Sequence, residues 1–199
     1  MLADLTLVAQ IAVKSSVAVL LAGLGEVLAE RSGVFNLGQE GMMLAGALFG
    51  FAAGAATGDP FLALGAAMLA GVLLAGLHAL FVVGLCTDQV LSGLAVALLG
   101  GGITAFLGRG WISRPGLRLG TWDVPLLSKI PALGEVFFRQ PPLAYAAYAL
   151  LPLVCWLLSR TRAGLCIRAV GENAQAADAA GVPVRLVRTL CVLAGGAFS

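Results

Sequence analysis

The sequence predicts an all-α polytopic membrane protein. Three observations carry that class. Hydrophobic residues make up 60% of the chain and charged ones only 11%, against about 25% charged in ordinary soluble domains. The charges are also bunched: residues 41–58, 60–87, 89–108 and 140–159 contain no Asp, Glu, Lys or Arg. Each stretch reaches or nearly reaches the ~20 apolar residues needed to cross a hydrocarbon core. None shows a polar face at helical spacing, which a soluble bundle requires.

The first span is expected over about Leu5–Leu24, with Lys14 facing other helices or snorkelling toward the interface. An N-terminus reading Met-Leu-Ala-Asp lacks the basic flank of a secretory signal, so this segment is expected to be retained. Gly25–Gly41 then brings Glu26, Glu30, Arg31, Asn36, Gln39 and Glu40 together between apolar stretches. It is too polar to face lipid, and reads as a surface loop or as a broken, re-entrant piece buried among helices.

The second span starts near Gly41. Gly46, Gly50, Gly54 and Gly58 recur every four residues and predict a ridge for close helix packing. "TGDP" (Thr57–Pro60) turns the chain into a third span over Phe61–Gly84, where His78 either hydrogen-bonds a neighbouring helix, the favoured reading, or takes part in the substrate path. After a polar corner at Thr87–Gln89, the fourth span runs to about Leu107. Gly100, Gly101 and Gly102 within it predict a kink or a close crossing. Residues 108–139 form a long linker with Pro115, Pro125 and Pro131, and with Trp111 and Trp122 suited to a membrane–water interface. The fifth span covers about Leu143–Leu158, with a kink expected at Pro152.

A second polar region, 160–188, follows. The apolar run from Thr189 is too short to cross a bilayer before the sequence stops, which suggests a fragment or a truncated reading frame. The two polar regions carry five basic residues each, so charge bias alone gives no orientation. The net charge of +2 includes no basic run for nucleic acid. Cys86, Cys155, Cys166 and Cys191 have no metal-ligand or disulfide spacing, and no metal site is expected.

Within 160–188 the stretch "GENAQAADAAGVP" (Gly171–Pro183) reads as a short sealed helix of about eight residues. Asn173 suits the N-cap and Glu172 the positive end of the helix dipole. Gly181 suits a left-handed stop, and Pro183 blocks continuation. So short a helix does not persist alone in water. Either it rests on its own protein, or its Ala174, Ala176, Ala177, Ala179 and Ala180 face, with Gln175 and Asp178, inserts into a partner's groove.

"RAVGENAQAADAAGV" (Arg168–Val182) resembles the coupling-helix segment of ABC importer permeases of the nucleoside and simple-sugar type, within the branched-chain amino acid permease-like superfamily. "ERSGVFNLGQEGMMLAGA" (Glu30–Ala47), "LHALFVVGLCTDQVLSGLAV" (Leu77–Val96) and "VPLLSKIPALGEVFF" (Val124–Phe138) resemble other blocks of that family, in family order. Ala97 departs from the pattern, which commonly has a polar Asn there, and family members continue through further spans after Ser199.

The resemblance implies one permease domain over 1–199, a type II ABC importer-like helical bundle truncated after about five spans. It sits in a bacterial-type plasma membrane. Residues 108–139 would be the extracytoplasmic connection and 160–188 the cytoplasmic coupling loop. The implied role is import, of nucleosides first, with simple sugars or branched-chain amino acids as alternatives. The implied partners are ABC ATPase subunits, which hold the ATP and magnesium, a second permease subunit, and a substrate-binding lipoprotein or periplasmic protein; nucleic acid is not among them. Gly171, Glu172, Asn173, Ala177, Asp178 and Gly181 become candidates for ATPase coupling. The polar residues near breaks in the apolar pattern, Asn36, Gln39, Glu40, Gln89 and Ser92, become candidates for the substrate path or for glue between helices.

Three rival classes are weighed on the residues. A proton-coupled transporter needs carboxylates at membrane depth, and the four charge-free stretches have none. A hydrolase would need an activated nucleophile or a metal cluster, and neither GxSxG nor HExxH occurs. No GxxxxGK[ST] is present for a self-contained ATPase.

Overall fold

A computed structural model describes residues 2–116, 120, 122–123 and 136–199. Helix α1 (Leu2–Arg31) is followed by α2 (Gln39–Thr57) and α3 (Pro60–Ala79), which runs on as a π-helical turn over Leu80–Gly84. Next come α4 (Gln89–Leu107) with a 3₁₀ turn over Gly108–Trp111, then α5 (Pro142–Arg160), α6 (Arg162–Glu172), α7 (Ala174–Ala179) and α8 (Val184–Phe198). A two-residue antiparallel ladder pairs β1 (Trp122–Asp123) with β2 (Arg139–Gln140), Trp122 opposite Gln140. Residues 124–135, which hold most of the "VPLLSKIPALGEVFF" block, with Pro125 and Pro131, lie outside the described residues.

Among the described residues, five helices are long and apolar enough to cross a membrane. Their outer surfaces confirm the solvent for which they are built. Phe61 is 82% exposed and Phe106 74%, and Leu91, Leu98, Leu73 and Val19 are also exposed. So much exposed apolar surface is stable against lipid and not against water.

The core is shared by α1, α2, α3, α4 and α8: Ala29, Val34, Met42, Ala45, Leu74, Ala75, Val96 and Val192 form one buried cluster. Helix α5 joins from the side, packing Ala144 and Ala147 on Val17, and Val154 on Leu24 and Leu28.

Backbones meet at glycines. A methyl group on Gly25 of α1 would lie 2.8 Å from Gly195 Cα of α8, and one on Gly71 of α3 would run into the Gly196 carbonyl. A methyl on Gly100 of α4 would run into Gly41 of α2, and one on Gly41 would run into the backbone of Val96 and Ala97 of α4. The predicted close crossing on α4 therefore belongs to Gly100 alone; Gly101 and Gly102 have nothing within 4 Å, and the helix is unbroken there. The predicted ridge on α2 is real at Gly46 and Gly50, which face Ala63 and Ala67 of α3, and Gly54 is buried. Gly58 is not part of it: it caps α2 in a left-handed conformation, φ 70°. Asp59 then caps α3 by accepting from the Phe61 N–H at 2.8 Å.

Other expectations shift in extent. The first span runs on to Arg31, so Glu26 and Glu30 belong to a helix and not to a loop. Helix α5 continues through Pro152. Lys14 is exposed on this chain. The polar region 160–188 contains a helix the sequence reading did not anticipate, α6, capped by Thr161 Oγ1 accepting from the Gly164 N–H at 3.0 Å.

Candidate functional site: a buried polar break and a capped short helix

Helix α1 stops with Gly33 in the left-handed region, φ 82°. The Val34 N–H reaches back to the Ala29 carbonyl and the Gly33 N–H to that of Glu30, at 3.1 and 2.9 Å. This is the Schellman arrangement, which satisfies the last carbonyls of a helix and favours glycine at its turning point. The chain then returns along α1 instead of leaving it. Gln39, the first residue of α2, donates from Nε2 to the Ala22 carbonyl at 3.1 Å. Ala22 precedes Arg31 by nine residues, about 13 Å of helix at ~1.5 Å per residue. Residues 32–38 are thus a re-entrant break, with Ser32, Val34, Asn36 and Gly38 buried.

Non-helical backbone inside a bundle needs partners for its polar groups. Side chains supply them. Glu26 Oε1 accepts from the Asn36 N–H at 3.2 Å, Asn36 Oδ1 from the Gly38 N–H at 2.9 Å, and Gln89 Oε1 from the Phe35 N–H at 2.6 Å. Asn36 Nδ2 donates to Gln39 Oε1 at 3.4 Å, and Gln39 Nε2 also reaches the Gly195 carbonyl of α8 at 3.4 Å. Behind the break, fully buried His78 places Nδ1 3.0 Å from Ser92 Oγ, bridging α3 and α4.

Four of the five candidate substrate-path residues therefore converge on this break or just behind it. Asn36, Gln39 and Gln89 bond within it, and Ser92 pairs with His78. The fifth, Glu40, is exposed on the first turn of α2. Glu26, in the same polar segment but not among the candidates, is also a member; among the described residues its Oε2 is buried without a hydrogen bond. Among the described residues no group of three His, Cys, Asp or Glu side chains could hold a metal ion.

The short helix is α7, six residues and not eight. Asn173 Oδ1 accepts from the Ala176 N–H at 3.0 Å, closing its start. Its end is a second Schellman turn: Val182 N–H to Ala177 carbonyl at 3.0 Å and Gly181 N–H to Asp178 carbonyl at 2.9 Å, with Gly181 at φ 84°. Ala177 is 4% exposed. It seats the helix on its own chain and is not on the outward face, where the sequence reading placed it. Glu172, Asn173, Gln175, Ala176, Asp178, Ala179 and Gly181 point outward, and Gly171 is half-buried.

The same end of the bundle holds α7, the end of α1, the break and the start of α4. Gly171 packs on Arg31 and Gly33, Arg188 on Ser32, and Gln89 on Gly33 and Phe35. The described flanks of 108–139 lie at the other end, where Trp111 packs edge-to-face on Phe51 and Gln10 donates to the Arg139 carbonyl.

Apolar spans around a re-entrant polar break define a multi-pass helical membrane protein. The comparison with known families makes this specific. A family model described as branched-chain amino acid transport system / permease component matches residues 7–199, and the chain belongs to that family.

It is 42% identical, over 94% of its length, to a Haloferax volcanii protein provisionally named as a glucose ABC transporter permease. It is 35% identical, over 91%, to a nucleoside ABC transporter permease protein of Lactococcus lactis. It is 36% identical, over 90%, to a guanosine ABC transporter permease protein of Bacillus subtilis. The chain spans 58%, 61% and 60% of those relatives. No solved structure matches it.

Proposed function

We propose that this chain belongs to the membrane-spanning permease subunit of an ATP-driven importer, with nucleosides as the first substrate class. The observation that carries the reading is α7. It is capped at both ends and anchored through one buried alanine, with most of its surface turned outward. It lies at the same end of the bundle as the polar break. In this reading Glu172, Asn173, Asp178 and Gly181 meet a separate ABC ATPase subunit, which holds the ATP and magnesium; Gly171 and Ala177 position the helix from behind. Residues 160–188 are cytoplasmic and 108–139 extracytoplasmic, in a bacterial-type plasma membrane. A second permease subunit completes the pathway, and a substrate-binding lipoprotein or periplasmic protein delivers the solute. Asn36, Gln39 and Gln89 flank the path at the break.

A simple sugar is the second substrate reading, favoured by the relative named for glucose at 42% identity. Nucleosides and glucose share a ring bearing several hydroxyls, which amide and carboxylate side chains recognise through hydrogen bonds.

The experiment uses the full-length permease co-expressed with its ATPase. Asp178→Arg is expected to abolish ATPase co-purification and ATP-driven guanosine uptake in proteoliposomes while leaving the melting temperature unchanged. Unchanged co-purification and uptake would remove α7 from the interface. Uptake that needs no ATP and collapses with a protonophore would assign a proton-coupled transporter instead. Competition by unlabelled guanosine against glucose separates the two substrate readings.

A further inference from the structure

Two contacts join the limbs on either side of α7 to a single point of the polar break. On the incoming limb, Gly171 at the end of α6 lies so close to α1 that a methyl group there would run into the Arg31 carbonyl oxygen and stand 3.2 Å from the Gly33 nitrogen. On the outgoing limb, Arg188 of α8 donates from Nε to the Ser32 carbonyl at 3.2 Å, and a methyl on Gly33 would stand 3.2 Å from its Nη2. Gly33, three residues before Asn36, is thus approached from both sides, and Ser32 is held by Arg188.

The rest of α8 cannot slide freely, because Gly195 and Gly196 are set against the backbones of Gly25 and Gly71. A push on α7 therefore arrives at the turn that ends α1, next to the loop whose backbone is held by Glu26, Asn36 and Gln89. Packed backbones of this kind transmit displacement because they have no compliant side chain between them.

We infer that Gly171 and Arg188 are positioning residues that transmit movement of α7 to the Asn36 break through Ser32 and Gly33. The inference rests on the import reading above. Neither residue touches solute or nucleotide. Their role is to make the break follow the short helix, so that work done on α7 changes the environment of Asn36 and Gln39.

The test uses the full-length permease with its ATPase in proteoliposomes, with exposed Cys86 and Cys155 replaced by Ser. A Phe35→Cys substitution on the exposed side of the break reports its movement through maleimide labelling, with and without ATP and vanadate. Arg188→Met keeps the aliphatic stem and removes the donor; Arg188→Lys restores a donor. Arg188→Met is expected to leave ATP hydrolysis within about twofold of the parent. It is expected to lower tritiated guanosine uptake about tenfold or more and to abolish the ATP-dependent change in labelling, with partial recovery in Arg188→Lys. Gly171→Ala is expected to split hydrolysis from uptake in the same way. Uptake and labelling response within twofold of the parent in Arg188→Met would overturn the inference. So would a joint loss of hydrolysis, uptake and thermal stability in both variants, because that marks a structural role only. If the parent protein takes up neither guanosine nor glucose with ATP, the import reading itself fails, before any variant is compared, and the inference falls with it.

Discussion

His78 Nδ1 and Ser92 Oγ stand 3.0 Å apart just behind the polar break, and this pair ties α3 to α4. His78 is fully buried, and among the described residues Ser92 is the side-chain partner of its Nδ1. Ser92→Ala would leave Nδ1 without that partner. Interhelical hydrogen bonds in membranes are worth roughly 0.6–2 kcal/mol. A loss of stability of that size is expected, read as a lower melting temperature in detergent from tryptophan fluorescence. An unchanged melting temperature would mean that the pair is not formed.

The α2–α4 crossing predicts opposite signs for neighbouring residues. Gly100→Ala would drive a methyl into Gly41 and force the helices apart, at a cost of about 1–3 kcal/mol or more. Gly101→Ala meets open space and is expected to gain roughly 0.5–1 kcal/mol from helix propensity. Thermal unfolding of the two variants side by side decides the matter; equal effects would contradict the crossing.

The caps of α7 predict local loosening without global unfolding. Asn173→Ala removes the acceptor for the Ala176 N–H and is expected to cost about 1 kcal/mol. Gly181→Ala places a side chain at φ 84°, costing about 1–2 kcal/mol. Hydrogen exchange at Ala176–Val182 should accelerate roughly fivefold or more in both, since ~1.4 kcal/mol is tenfold in an equilibrium, while α2 and α3 keep their protection. If both variants exchange as the parent does, the caps do not hold the helix.

The outward and inward sides of α7 predict separable phenotypes. Ala177→Trp would unseat the helix, because Ala177 is buried against its own chain; overfilling such a site costs about 1–3 kcal/mol. Gln175→Ala is exposed and should leave the melting temperature within about 0.5 kcal/mol of the parent. A stable Ala177→Trp protein would mean that this residue is free, as the sequence reading had it.

Much of this was legible in the residues. The charge-free stretches locate the spans because lipid accepts little else. Asn173 and Gly181 declare caps because their local chemistry works wherever the helix lies. The polar character of Gly25–Gly41 also announces that the segment avoids lipid. It does not reveal that α1 absorbs Glu26 and Glu30 and that only 32–38 folds back. Helical propensity alone carries Glu26 either way, and the decision comes from Gly33, Asn36 and Gln89 meeting in space.

The sequence by itself determined which segments are apolar enough to cross a membrane, which residues cap the short helix α7, and that glycines permit close approach. Only the tertiary structure decided which glycines meet. Gly25 finds Gly195, Gly71 finds Gly196 and Gly41 finds Gly100, while Gly101 and Gly58, identical in composition, meet nothing. A missing side chain advertises room for a neighbour without specifying one. The partner is chosen by the packing of whole helices, through contacts far apart in the chain that no local pattern encodes.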